Sequence, residues 1–131
     1  LPFRAQRAEA EVHILSGEAV EQSAPFDVVL CDVPCSGSGA WRRNPDGKWN
    51  LSQDKLHELN ELQDEILNRT APLVTAGGTL IYATCSILTC ENEDRVQAFL
   101  GTNPSWKAGF SRRFDVSEHG DGFFVTHLMR T

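Results

Sequence analysis

The chain has 131 residues, an apolar fraction of 40% and a net charge of -6, which suits one domain of ordinary size and excludes a disordered composition. An acidic chain also excludes a generic nucleic-acid coat, so any nucleic-acid contact would come from a local patch. No apolar run is long enough to span a bilayer and no signal-peptide pattern opens the sequence, so the expectation is a cytoplasmic protein whose 4 cysteines are free thiols.

Residues 3–10 (FRAQRAEA) have helix-forming composition. Val12 to Leu15 is a short strand candidate, closed by a turn at Ser16, Gly17 and Glu18. Phe26 to Cys31 predicts a buried strand, because Val28, Val29, Leu30 and Cys31 form an apolar run with β-branched residues. Beyond it the chain must turn: Pro34 lacks a backbone donor, and Gly37 and Gly39 loosen the chain around two serines. Residues 32–50 predict a long loop carrying Trp41 and Trp49, and loops of that length inside compact domains are often functional.

Leu51 opens the clearest helix, with Ser52 as N-cap and Leu51 and Leu56 at the spacing of a hydrophobic staple. Leu56, Leu59, Leu62, Ile66 and Leu67 share one helical face, and the opposite face is charged. Pro72 and then Gly77-Gly78 should stop it. Thr79 to Thr84 (TLIYAT) predicts a second buried strand, and a second helix follows from about Glu91 to Leu100, closed by Asn103-Pro104. Two weaker strands, 105–110 and 122–130, flank a turn at His119-Gly120-Asp121-Gly122. The order of elements reads as α/β.

Each of the two buried strands delivers a cysteine at its C-terminal end, Cys35 after the first and Cys85 after the second. Ligands of open α/β sheets bind just beyond the carboxyl ends of strands. A thiol is a nucleophile when ionised, and the helix start downstream of Cys85 favours a thiolate there. Free cysteine is also a common packing residue, and position alone leaves both roles open. Cys31 reads as core and Cys90 as structural. A zinc module is a weaker alternative, because three residues separate Cys31 from Cys35 and four separate Cys85 from Cys90, neither being the two-residue knuckle. The histidines are scattered, so no metal site is expected. Asp32 either caps the turn or hydrogen-bonds a cytosine edge. The segment Trp41-Arg42-Arg43-Asn44-Pro45-Asp46-Gly47-Lys48-Trp49 interleaves cations with aromatics, which suits phosphates and stacked bases.

At DVPCSGSG, RRNPDGKW, GGTLIYATCSIL and DGFF the sequence resembles the Sun-type RNA (cytosine-5) methyltransferases, most closely the bacterial branch that modifies small-subunit ribosomal RNA. The resemblance runs from about Val12 to the end. It implies an α/β fold of class I, the Rossmann-like fold of S-adenosylmethionine-dependent methyltransferases. By the resemblance Cys85 is the nucleophile that attacks C6 of the target cytosine, and Cys35 helps to release the enzyme. Asp32 would contact the cytosine edge and assist protonation at N3, the base having been unstacked to enter. Glu18, where the family more often has Asp, would lie near the adenine of S-adenosylmethionine, with Asp32 and Pro34 also beside that cofactor. Arg42, Arg43 and Lys48 would steer RNA. The family's glycine-rich cofactor loop and ribose-binding acid would lie upstream of Leu1. The expectation is therefore that residues 1–131 are the C-terminal part of one catalytic domain, truncated at its N-terminal side, with the missing upstream part as a partner and little cofactor binding or methylation when alone.

Three other readings compete. An amino-group methyltransferase carries an acid or amide, two prolines and an aromatic at the first turn and needs no thiol. Here Cys35 takes the place of the aromatic. An inactive RNA-binding or assembly module would keep Trp41, Arg42 and Arg43 without needing Cys85. The zinc module would show bound metal.

Overall fold

The computed structural model describes residues 2–131. In chain order its helices are α1 (Pro2–Arg7), α2 (Gly17–Ser23), α3 (Asp46–Trp49), α4 (Gln53–Thr70) and α5 (Glu93–Thr102), and its strands are β1 (Phe26–Asp32), β2 (Val74–Thr84), β3 (Trp106–Phe114) and β4 (Phe123–Arg130). The strands form one sheet in the order β1-β2-β4-β3. β1 and β2 run parallel, with Leu30 opposite Ile81 and Asp32 opposite Ala83. β4 pairs antiparallel with both β2 and β3. The mixed α/β class expected from the sequence is thus what the chain adopts.

Strand alternation sends one set of side chains to a common core. Cys31 from β1, Leu80 and Tyr82 from β2, and Phe124 and Leu128 from β4 pack with Leu67 of α4 and with Val96 and Phe99 of α5. Two edge-on aromatic pairs, Tyr82 with Phe124 and Phe99 with Trp106, fill its centre. The opposite face of the sheet stays open: Val28 is 58% exposed and Leu30 64%. β1 therefore reads correctly as a strand, but only one of its faces is buried.

Ser52 caps α4 as expected, its hydroxyl accepting from the Lys55 amide at 3.2 Å. Pro72 sits in a 3-10 turn directly after that helix. Gly77 and Gly78 do not stop a helix. They lie inside β2, which begins earlier than predicted, where the register jumps from Phe26–Val74 to Val28–Thr79. Gly77 has φ +77° there, and a Cβ on Gly78 would lie 2.8 Å from the Asp27 carbonyl, so the glycines serve a bulge. The expected strand at Val12–Leu15 does not form. A strand needs a ladder partner, and none pairs with this segment, which stays irregular with Ile14 68% exposed. The turn at 16–18 instead opens α2, capped by Ser16. Inside the expected loop 32–50 lie a 3-10 turn at Ser38–Ala40 and the single-turn α3.

Candidate active site

β1 and β2 end side by side because they are parallel neighbours, so the turns that follow them meet. The Sγ atoms of Cys35 and Cys85 lie 3.4 Å apart. Cys85 is exposed and Cys35 half-buried. Burial pushes the Cys35 thiol up to about 12, with the neighbouring Cys85 and Glu91 adding to it. Cys35 is therefore a neutral thiol near pH 7.

Backbone contacts lock the two turns together. The Gly39 amide donates to the Cys85 carbonyl at 2.9 Å, and the Gly122 amide donates to the Gly39 carbonyl at 2.9 Å. A Cβ on Gly39 would meet the Gly122 oxygen at 2.1 Å and the Cys85 oxygen at 2.9 Å. Only glycine permits that approach. The GSG of the first turn and the DGFF of the tail are thus two halves of one clasp. Ser38 adds to it: its Oγ lies 2.9 Å from Ser86 Oγ and accepts from the Ile87 amide at 2.9 Å. Asn92 completes the second turn, donating from Nδ2 to the Ser86 carbonyl at 2.9 Å and accepting from Thr84 Oγ1 at 2.6 Å.

The other sequence-predicted residues fall at different distances from this centre. Asp32, exposed, is the last residue of β1 and pairs with Ala83, two residues before Cys85. Pro34 lies one residue before Cys35, and its carbonyl accepts from Gln63 Nε2 of α4 at 2.9 Å. Glu18 is exposed on α2, where it accepts from Gln22 Nε2 at 3.4 Å. Arg42 and Arg43 both reach Asp121, Arg43 Nε donating to it at 2.7 Å and Arg42 Nη2 lying 3.7 Å away. The pair holds the Asp121 carboxyl below its ordinary range. Two guanidinium groups against one carboxylate leave a net positive charge on the rim of the turn. Lys48 lies 5.4 Å from the ring centroid of Trp49, which is 79% exposed.

A cavity of about 250 Å³ opens beside Cys35 and is lined by Ser36, Asn44, Asp46, Asn50 and Lys55 among others. Neither Glu18 nor Asp32 lines it. With both acids exposed, the residues expected to hold S-adenosylmethionine do not by themselves enclose a cofactor. Cys31 is buried and donates to Thr70 Oγ1 at 3.3 Å, as a core residue should. Among the described residues no group of three or more His, Cys, Asp and Glu side chains is placed to share a metal ion.

A family model described as 16S rRNA methyltransferase RsmB/F matches residues 6–119. The chain belongs to the RsmB/F family. The ribosomal RNA small subunit methyltransferase B of Salmonella agona (strain SL483) is 42% identical over 113 residues, covering 80% of this chain and 26% of that protein. The chain thus spans about a quarter of the length of such curated relatives. Among solved structures, a methyltransferase homolog protein from Pyrococcus horikoshii superposes with a TM-score of 0.77 at 22% identity, over 99% of this chain and 48% of that one. NSun6 from Pyrococcus horikoshii, solved with SFG, superposes with a TM-score of 0.74 at 18% identity, over 92% of this chain and 34% of that one. At those identities the likeness shows the fold, which is the methyltransferase fold expected from the sequence. The Sun-type resemblance read from DVPCSGSG and TCSIL is in agreement with the RsmB/F match.

Three residues around the two-cysteine centre carry no functional signal in the sequence. Glu91, which the sequence places at the start of the second helix, lies in the 3-10 turn before α5 and is fully buried beneath both turns. Gln63, on the face of α4 between its apolar positions, is also fully buried. Asp121 was seen only as part of a turn. Its place between Arg42 and Arg43 depends on the tail folding back onto the first turn, which no local pattern encodes.

Proposed function

We propose that this chain carries the two-thiol centre of an S-adenosylmethionine-dependent RNA (cytosine-5) methyltransferase acting on 16S ribosomal RNA, and that residues 1–131 are the C-terminal part of its catalytic domain. The observation that carries the reading is the approach of Cys35 and Cys85 to 3.4 Å at the ends of two parallel strands. Both sulfurs can then reach one pyrimidine ring.

Their unequal surroundings support unequal roles. Cys35, held neutral by burial, is the poorer nucleophile near pH 7, since the thiolate is the attacking form. Cys85, the exposed member, is the nucleophile. Its thiolate adds to C6 of the cytosine, which makes C5 electron-rich enough to accept a methyl group. Once water or hydroxide from solvent has taken the C5 proton, its electron pair re-forms the C5–C6 double bond, the C6–S bond breaks and Cys85 leaves as thiolate, with the N3 proton returned to solvent; Cys35 assists that release. Asp32 contacts the N3 edge and stabilises the added proton there. S-adenosylmethionine supplies the methyl group, with Glu18, Asp32 and Pro34 forming part of a pocket that the rest of the domain completes. Arg42, Arg43, Lys48 and the exposed Trp49 meet the RNA, the cations at phosphates and the indole at a base.

The test is the product. The segment is placed within a full-length family member and given undermethylated 16S ribosomal RNA, and the nucleosides are separated by mass spectrometry. Formation of 5-methylcytosine that depends on Cys85 supports the reading. N4-methylcytosine in its place would move the assignment to an amino-group methyltransferase, and RNA binding without any product would move it to an inactive assembly module.

A further inference from the structure

Glu91 is a buried acid whose charge helps to keep Cys35 protonated and whose hydrogen bonds the thiol chemistry leaves unused. It is fully buried, it closes the 3-10 turn Thr89–Glu91, and among the described residues it joins no salt bridge. Burying a carboxyl group is costly unless hydrogen bonds satisfy it. Here four donors do so. Oε1 accepts from the Ser36 amide at 2.8 Å and from Gln63 Nε2 at 3.1 Å. Oε2 accepts from Ser36 Oγ and from Ser86 Oγ, each at 2.5 Å.

The identity of those donors is the informative part. Ser36 directly follows Cys35, and Ser86 directly follows Cys85. One carboxyl group therefore grips the residue after each thiol. It is itself anchored from the core, where the Tyr82 hydroxyl donates to the Glu91 carbonyl at 2.5 Å, and from α4, where Gln63 also holds the Pro34 carbonyl. A turn cap needs to reach only its own loop, whereas this group spans two loops 50 residues apart in sequence.

We infer that Glu91 is the positioning residue of the two-thiol centre, setting the approach of Cys35 to Cys85 by holding Ser36 and Ser86 on one carboxyl group. The assignment rests on reading those two thiols as the reacting pair. Glu91 touches neither the sulfurs nor a substrate; it acts through the two serines.

The test reads the geometry without RNA or cofactor. The chain is equilibrated with reduced and oxidised glutathione. One cysteine thiolate attacks glutathione disulfide and releases one glutathione; the second cysteine, after losing its proton to solvent, displaces the other, leaving a Cys35–Cys85 disulfide and two reduced glutathiones. Acid quench and peptide mapping give the effective concentration of the pair, compared at equal folded fraction by circular dichroism. Glu91→Leu, which keeps the bulk and removes the acceptors, is expected to lower that concentration by about tenfold or more. Glu91→Gln is expected to stay within about threefold of the parent, because its two amide hydrogens can meet the two serine hydroxyls turned round to accept. An unchanged value in folded Glu91→Leu, or an equal loss in Glu91→Gln, would overturn the inference. Should Glu91→Leu not fold, Ser86→Ala decides: the Ser86 hydroxyl is the one bond that ties the second turn to the Glu91 carboxyl group, whereas Ser36 would keep its amide bond, and a value equal to the parent's would overturn the inference in the same way. Absence of methylation in the product assay leaves this result standing, so the two readings fail separately.

Discussion

Replacing Gly39 by Ala tests the clasp between the first cysteine turn and the tail. The added Cβ would sit 2.1 Å from the Gly122 oxygen, 2.6 Å from the Gly122 carbonyl carbon and 2.9 Å from the Cys85 oxygen. All three are backbone atoms, which cannot swing aside as a side-chain end can. Relieving the clash must separate the turns, at an overpacking cost of about 1–3 kcal/mol. The same movement breaks the bonds from the Gly39 amide to Cys85 and from the Gly122 amide to Gly39, worth about 0.5–1.5 kcal/mol each. The expected destabilisation is thus about 2–6 kcal/mol, a large share of the roughly 5–15 kcal/mol that holds a domain folded. Urea unfolding followed by circular dichroism measures it, with Gly122→Ala as the comparison. There the added Cβ would meet Ile87 Cγ2 at 2.3 Å and Val116 Cγ2 at 3.1 Å, with one backbone atom, Gly39 Cα, at 3.0 Å; the side chains can yield by changing rotamer where backbone cannot, so the loss should be smaller. A Gly39→Ala protein within about 0.5 kcal/mol of the parent, or one more stable than Gly122→Ala, would refute the clasp.

The raised Cys35 pKa predicts a pH dependence with a definite sign. The folded state holds that proton more tightly than the unfolded state, so the stabilisation is complete below the ordinary thiol value of 9.0 and is lost as pH rises towards about 12. The buried Cys31 and Tyr82 shift in the same direction, so Cys35→Ala should flatten the alkaline limb of urea midpoint against pH without abolishing it; an unchanged limb would contradict the burial argument. If Arg43 meets a phosphate, Arg43→Ala should weaken RNA binding across sequences and reduce the slope of log affinity against log salt by about one; filter binding at several salt concentrations checks this, and an unchanged slope would remove Arg43 from the interface. For the chain alone, calorimetry is expected to show no micromolar binding of S-adenosylmethionine, because Glu18 and Asp32 are exposed and do not line the cavity at Cys35. A micromolar heat signature would show that these residues suffice.

Local chemistry explains what was legible in the sequence. Ser52 and the leucine spacing marked α4 because capping and helical periodicity are short-range signals. The two strand-end cysteines were legible because an apolar run broken by Pro34, or ended by Cys85-Ser86, shows where a strand spills into a turn. Their 3.4 Å approach was not, since it depends on β1 and β2 being parallel neighbours. Val12–Leu15 forms no strand for a related reason: apolar and β-branched residues give a segment the means to be a strand, but only a ladder partner makes it one. Gly77-Gly78 looked like a helix stop because glycine marks bulges and helix ends alike. Glu91 shows the same limit in the site itself. A polar residue at a helix or turn reads as solvent-facing; the place of Gln63 among Leu59, Ile66 and Leu67 was a local sign of its burial, whereas the burial of Glu91 under two distant loops leaves no trace in its neighbours.

Covalent trapping separates the roles of the two cysteines. A full-length family member containing this segment with Cys35→Ala is incubated with S-adenosylmethionine and 16S ribosomal RNA and run on a denaturing gel. A protein–RNA adduct is expected to accumulate because release is impaired, and to disappear when Cys85→Ala is added. Normal 5-methylcytosine formation by the Cys35→Ala protein with no adduct, or an adduct that survives Cys85→Ala, would contradict those roles.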